Sequence, residues 1–437
     1  MDNGFFYGCV CLFVSLLCMG GYTCLYRRKR LYDDIPTSKT TGVFIGLVEL
    51  KGTIESPSPM VAPLSDQQCV YCRWDIMEQW ERWETETYYD SDSKTTKTRQ
   101  VLKSGWTTLD ESTTMRSFYL RDSYGTILVH PQQATLEPVT SFSETVSSGS
   151  PLYTKFSYPE IADSTHRRRF SEQIFPVGAE IYLMGYSRLR QDVVEPEIAY
   201  DPQSPLYLIS CFKEETISNT AGCSVCGYIA GGLISSIAGA LFLGFDVRLC
   251  SANMDVPTVQ ILTVLGTLGA VAALWGLNIA LVIQASLTHL KNMVIQGLSN
   301  VDVQLKRRSE LIPPLVQVVQ KMAQYERETL QAVALLRSQT EIANLTKRLG
   351  KTNRPLANCA LPIAIVSERY PELKSSELFL ALQKQLTETE SKIELARRYY
   401  NEIAGAYNTR LEQYPDCLIS ALFRMRPFYL IRFSGGK

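Results

Sequence analysis

Histidine is nearly absent: the chain of 437 residues holds three. That leaves little material for the acid–base and metal chemistry that imidazole supplies near neutral pH. Net charge is absent as well, with 44 Lys and Arg against 44 Asp and Glu. The balance excludes both a basic nucleic-acid binder and an acidic disordered tail. A third absence is local. No charged residue lies between Asp2 and Arg27, none from Gly222 to Phe245, and none between Asp255 and Lys291. Each stretch exceeds the roughly 20 apolar residues that cross a hydrocarbon core, which excludes a simple cytosolic protein.

The twelve cysteines do not form the framework of a small secreted protein. Most lie in or beside the apolar stretches (Cys9, Cys11, Cys18, Cys24, Cys223, Cys226, Cys250), where a thiol behaves as a small apolar group. Two C-x-x-C pairs, Cys69/Cys72 and Cys223/Cys226, have the composition of a four-thiolate zinc site. The first pair falls in the alternating run Val70-Tyr71-Cys72-Arg73-Trp74, whose period of two predicts thiols on opposite faces of a strand. The second opens a membrane helix, so zinc is the lesser expectation. No C-x-x-C-H haem motif is present, and no cofactor is expected.

Transmembrane helices are predicted at 4–26, 222–245 and 257–287. The first follows Asp2 with no base before it and ends in Arg27-Arg28-Lys29-Arg30, the pattern of a retained anchor with its N-terminus outside. The loop Asp246 to Pro257 has Arg248 as its only base, and Lys291, Lys306, Arg307 and Arg308 follow the third helix. Both observations predict that loop outside and both folded domains in the cytoplasm. Small residues recur every fourth position at Gly227, Gly231, Ser235 and Gly239, and Gly266 and Gly269 start similar steps with Ala270 and Ala273. Such stripes let helix backbones approach, although Gly and Ala are also simply common in membrane helices.

Residues 40–215 are rich in Val, Ile, Tyr, Trp and Thr in short runs between Gly, Pro and Ser clusters, which predicts an all-β, barrel-like module. Thr85 to Arg99 and Thr140 to Ser150 lack periodicity and are expected as surface loops. Within this region, Gly46-Leu47-Val48-Glu49-Leu50-Lys51-Gly52-Thr53, Cys69 to Trp74, Phe118 to Pro131, Arg168-Arg169-Phe170 and Tyr182-Leu183-Met184-Gly185 resemble the GIDE domain. That resemblance implies a β-rich, membrane-adjacent module, known from membrane-anchored E3 ubiquitin ligases. Those ligases also need a C-terminal RING finger with eight zinc ligands. Here only Cys359 and Cys417 follow the third membrane stretch, so ligase activity is not implied.

The last region, 288–437, reads as long helices. Leu378, Leu382, Leu386, Thr389, Ile393, Ala396, Tyr400, Ile403, Tyr407, Leu411 and Tyr414 keep three- and four-residue steps, as do Leu287, Leu290, Val294, Leu298, Val301 and Leu305 running out of the third membrane helix. Pro313-Pro314 is expected to break or kink that second helix, and a turn near Pro355 to Pro371 to make an antiparallel bundle. Val301-Asp302-Val303-Gln304-Leu305-Lys306-Arg307-Arg308-Ser309-Glu310-Leu311-Ile312-Pro313, then Tyr325-Glu326, Tyr370-Pro371-Glu372-Leu373-Lys374, Tyr400-Asn401 and Tyr407-Asn408, resemble the LemA family. The resemblance implies a bacterial membrane-tethered helical bundle without established enzymatic activity.

Asp302, Lys306, Arg307, Arg308, Glu310, Glu388 and Arg397 are too mixed in sign for a phosphate cradle and read as inter-helix or inter-subunit ion-pair residues. The closing segment Leu418 to Phe433 mixes aromatics with Arg424, Arg426 and Arg432, which suits a membrane surface, a partner bundle or its own bundle. The expected whole is an α+β, multi-domain membrane protein with three transmembrane helices, a GIDE-like β module and a LemA-like bundle. Its expected role is a non-enzymatic, homo-oligomeric scaffold of a bacterial inner membrane, organising membrane. Its expected partners are lipids, further copies and other membrane proteins, and no nucleic acid. The alternative is a zinc-dependent regulatory or ligase-like protein built on the C-x-x-C pairs, with His130 or His166.

Overall fold

A computed structural model describes residues 3–90, 95–156, 158–159, 161–190, 195–202, 204–246, 256–322 and 377–431. The chain divides into two compact units, Lys39–Lys213 and the remainder.

Among its described residues the first unit is all-β apart from a 3-10 turn at Thr40–Gly42 and one short helix. Five of its strands close into a barrel. Gly46–Glu55 pairs with Phe118–Arg121, which pairs with Thr126–Val129. That strand lies parallel to Pro196–Ala199, which pairs with Glu180–Leu189, and the last returns to Gly46–Glu55 with Leu183 opposite Leu50. Inward residues alternate as a half-buried strand requires: Val48 and Leu50, Phe118 and Leu120, Ile127 and Val129, Ile181 and Leu183 form one buried core. Gly52 is forced by closure, because a Cβ there would overlap the Arg121 carbonyl oxygen.

The second sheet is built around Gln68–Asp90, which pairs with Ser164–Pro176 on one edge and with Thr95–Met115 along the other. Leu64, Ile76, Val146 and Phe170 form its core, under Trp74 and Phe156. Beyond Trp80 the edge partner ends, and two strands continue alone as a ribbon about 33 Å long at the usual strand rise. One ribbon face carries Arg82, Glu84, Glu86, Arg99 and Lys103 in an ion-pair ladder, while Trp83, Tyr89 and Leu102 are exposed.

Three expectations are corrected here. Thr85–Arg99 and Thr140–Ser150 are mostly strand, not loop. Both ribbon faces are open to solvent, so no apolar period marks the strands, although their Thr and Tyr content favours extension. Cys69 and Cys72 do not point to opposite faces. A bulge at Val70 sets Cys69 opposite Pro176 and Tyr71 opposite Phe175, which shifts the phase by one residue and buries both thiols beside Ala62 and Ile174.

The second unit is helical: α1 (Asn3–Asp34), α3 (Glu214–Asp246), α4 (Val256–Met322), α5 (Glu377–Glu412) and α6 (Asp416–Leu422), with α2 (Pro151–Lys155) being the short helix of the β unit. Among the described residues three helices are long and apolar enough to cross a membrane, in Phe5–Asp34, Glu214–Gly244 and Gln260–Pro314. Tyr22, Val225 and Trp275 form their shared core. Helix α4 is about 100 Å long at 1.5 Å per residue and runs through Pro313 and Pro314, where a break or kink was expected. The pairing of α4 with α5 is antiparallel: Ser286 meets Arg410, Gly297 lies by Tyr400, and Arg308 meets Glu390. The apolar steps read from the sequence form this seam, with Leu287, Leu290, Val294, Val301 and Leu305 buried against Leu386, Ile393, Ala396, Tyr400, Ile403 and Tyr407. Tyr325-Glu326, the turn near Pro355 to Pro371, Cys250 and Cys359 lie outside the described residues.

Candidate functional site

The densest polar constellation of the helical unit lies where the membrane helices end. Helix α1 stays apolar as far as Tyr26 and then turns basic, followed by Asp33 and Asp34. Arg410, buried near the end of α5, donates from Nη1 to Asp34 Oδ2 at 2.6 Å and to Ser286 Oγ at 2.8 Å, and from Nε to Asp416 Oδ2 at 2.7 Å. One guanidinium therefore ties α1, α4, α5 and α6 together. Its planar fork suits two carboxylates as an ammonium would not. Arg30 lies close enough to Asp34 and Asp416 to interact electrostatically, so two cations face two anions and the cluster is neutral overall. Neutrality matters because an uncompensated buried charge costs several kcal/mol. Nothing in local periodicity flags Asp34, Arg410 or Asp416, and sequence reasoning missed all three.

Of the expected ion-pair residues, Arg308 is buried and pairs with Glu390 at 3.4 Å across the α4–α5 seam. Arg397 lies beside them. Burial pulls its proton affinity down and Glu390 opposes that pull. Asp302 is half-buried, whereas Lys306, Arg307, Glu310 and Glu388 are exposed on the outside of the bundle. Glu390, which was not among the expected residues, follows buried Thr389 and is less exposed than Glu388.

The chain after α6 lies along α5. Asn408 donates from Nδ2 to the Phe428 carbonyl and accepts from its N–H, at 2.8 and 2.9 Å. Asn401, two turns away on the same face, makes the same pair of bonds with Ile431, both 2.8 Å. Tyr400 adds a bond to the Tyr429 carbonyl. Phe428 to Ile431 are therefore held by their main chain on the bundle.

In the membrane region Ser235 donates to the Cys11 carbonyl, Gly231 faces Cys18, and Gly239 lies under the Gly8 carbonyl and Leu12. The α3 stripe thus serves α1, with a Ser15–Ser236 hydrogen bond and Trp275 Nε1 donating to Ser15. Gly227, Gly266 and Gly269 have open space where a Cβ would stand. Gly232, which lies outside the four-residue stripe, is the one pressed against Trp275. The basic run is divided: Arg27 and Arg28 are exposed, Lys29 pairs with Asp33 at 2.5 Å, and Arg30 lies over the Tyr26 ring.

In the β unit the buried carboxylates are satisfied by pairing, whereas the buried Ser187 hydroxyl has no partner. Glu172 accepts from Leu64 N, Ser65 N, Ser65 Oγ and Ser141 Oγ and thereby pins the Pro63–Ser65 turn. Glu78 accepts from Arg168 Nε at 2.7 Å and from Ser164; burial alone would raise its pKa, and these bonds outweigh burial and hold it low. Ser117 Oγ bonds His130 Nδ1 at 2.8 Å, and His130 Nε2 bonds Glu197, which also takes Arg188 Nε at 2.8 Å. With the Tyr207 hydroxyl on the His130 carbonyl, this chain fastens the parallel seam of the barrel. His166 is exposed. The Cys69 and Cys72 thiols touch each other, and burial, with Glu172 nearby, pushes Cys72 up to about 12. Thiols held protonated in this way are poor metal ligands. Cys223 and Cys226 are exposed on α3, and among the described residues no group of three or more His, Cys, Asp or Glu is placed to hold a metal.

Two family models match these parts. Residues 297–435 match the LemA family, and residues 85–244 match GIDE, described as E3 Ubiquitin ligase. The chain carries both a GIDE domain and a LemA domain. No curated protein and no solved structure matches it. The LemA match contains Arg308, Glu390, Arg410 and the asparagine clamp, but Asp34, the α1 partner of Arg410, lies outside it. The GIDE match begins in the ribbon at Thr85 and runs on to Gly244 in α3, so it includes a membrane helix as well as most of the β unit.

Proposed function

We propose that this chain is a non-enzymatic, self-associating scaffold of the bacterial inner membrane, presenting its GIDE module and its LemA bundle on the cytoplasmic side. The carrying observation is the division of labour among small residues. Gly231, Ser235 and Gly239 are used up inside the chain against α1, while Gly266 and Gly269 remain open on α4 among exposed leucines such as Leu262 and Leu265. In lipid, where apolar surface gains nothing by leaving its solvent, close backbone approach is what a second copy can offer. Exposed Lys306, Arg307, Glu310 and Glu388 then continue the contact above the membrane as ion pairs between copies. The shared cytoplasmic side is supported by the helix ends. Lys29 at the end of α1 reaches Ser218 at the start of α3, and Asp34 meets Ser286 of α4 through Arg410.

The test is energy transfer between differently labelled copies in vesicles. Replacing Gly266 and Gly269 by Leu, where the chain itself has room, is expected to lower the transfer at least about threefold, a coupling of order 0.6 kcal/mol. Unchanged transfer would remove α4 as the contact.

A further inference from the structure

Helix α6 is inside out. Its polar residues face inward: Asp416 binds Arg410, and Ser420 donates to the Leu411 and Cys417 carbonyls. Leu418, Ala421 and Leu422 are exposed, Cys417 and Ile419 are half-buried, and the residues flanking the helix continue the exposed row. Tyr414, Leu418 and Leu422 follow at four-residue steps, with exposures of 80, 58 and 73 %, and Phe423 extends the row at 49 %. A short helix surrounded by water would be expected the other way round.

The height of α6 is fixed by its polar face. Asp416 is held by the guanidinium that also binds Asp34 at the end of α1 and Ser286 at the end of the apolar part of α4. Asp416 is also near enough to Tyr26 and Arg30 to act on them electrostatically. The row therefore lies level with the basic end of the first membrane helix. Arg424 and Arg426, both exposed, follow it directly, and Arg27 and Arg28 are exposed at the end of α1. Apolar side chains, a Tyr and basic residues at the end of a membrane span complement a boundary between anionic head groups and acyl chains.

We infer that α6 with Phe423 is an interfacial foot, lying in the surface of the leaflet from which the bundle rises and reading its anionic lipid. Asn401 and Asn408 complete the device by drawing the following segment up along α5, so that only residues 414–426 remain at the surface. The inference rests on the three helices crossing a membrane and not on self-association.

The test uses the full chain in vesicles of phosphatidylglycerol with phosphatidylethanolamine, carrying an environment-sensitive fluorescent amino acid at position 422. Position 414, the most exposed of the row, gives an independent probe, and exposed Ser391, higher on α5, gives the control. Doxyl-labelled lipid is expected to quench positions 414 and 422 at least about twofold more strongly than position 391. Arg424→Gln with Arg426→Gln is expected to remove the preference for anionic over zwitterionic vesicles. Equal quenching at all three positions would overturn the inference. So would a blue-shifted probe at 422 that lipid does not quench, because a second copy would then cover the row.

Discussion

Arg410 joins four helices of the helical unit through its bonds to Asp34, Ser286 and Asp416, and its loss leaves the two carboxylates with Arg30 alone. Removing one partner of a buried ionic cluster typically costs about 3–5 kcal/mol. Arg410→Ala is therefore expected to lower the melting temperature of the purified protein by several degrees, whereas Arg307→Ala, an exposed neighbour in composition, leaves it within about 1 °C. Equal melting of the two variants would show that the cluster is solvated. In the β unit, Glu78, Glu197 and Asp122 all have lowered pKa values. Burial opposes the lowering in each, and hydrogen bonds from Ser164 and Arg168, from Arg188 and His130, and from Thr40, Tyr124 and Gly125 outweigh it. Groups depressed on folding stabilise above their unfolded pKa, and that stability is lost as pH falls through the folded value. The strand signal in circular dichroism is expected to melt at steadily lower temperature below about pH 4, the unfolded carboxylate range. A flat profile down to about pH 2 would mean that these carboxylates carry no such stability.

At the scale of elements, what was legible depended on whether an element has one buried face. The α4 and α5 steps, Leu287 to Leu305 and Leu386 to Tyr407, were readable because a single seam covers them. The ribbon strands, Glu81–Asp90 and Thr95–Ser104, were not, because both their faces meet solvent and the ladder between them is backbone pairing decorated by exposed ion pairs such as Arg99–Glu86 and Lys103–Glu84. The Cys69/Cys72 phase was misread because a bulge at Val70 is invisible to a period-two count. The asparagine clamp was equally silent, since Asn401 and Asn408 look like ordinary polar positions of an amphipathic helix. Asn401→Ala with Asn408→Ala removes all four clamp bonds to Phe428 and Ile431. Trypsin cleavage after exposed Arg424, whose next residue is Met425, is expected to accelerate at least about tenfold, since local opening sets cleavage. Cleavage at the wild-type rate would mean that packing of Phe428 on Tyr407 holds the segment unaided.

For the whole molecule, neutrality of charge is an average over unlike parts. Three apolar helices dilute the composition, the charged cluster at their end is balanced within itself, and the β unit pairs its buried carboxylates internally. Along the α4–α5 bundle the exposed Lys306, Arg307, Glu310 and Glu388 are of both signs, the pattern that suits pairing between like copies. LemA and GIDE segments joined through membrane helices give such a scaffold two unlike faces to present. Self-association is the claim on which this reading stands, and the mass of the protein–detergent complex tests it most directly. Light scattering coupled to size exclusion in a mild detergent is expected to give a protein mass at least twice that of the 49.2 kDa chain. A monodisperse species at the mass of one chain would contradict it.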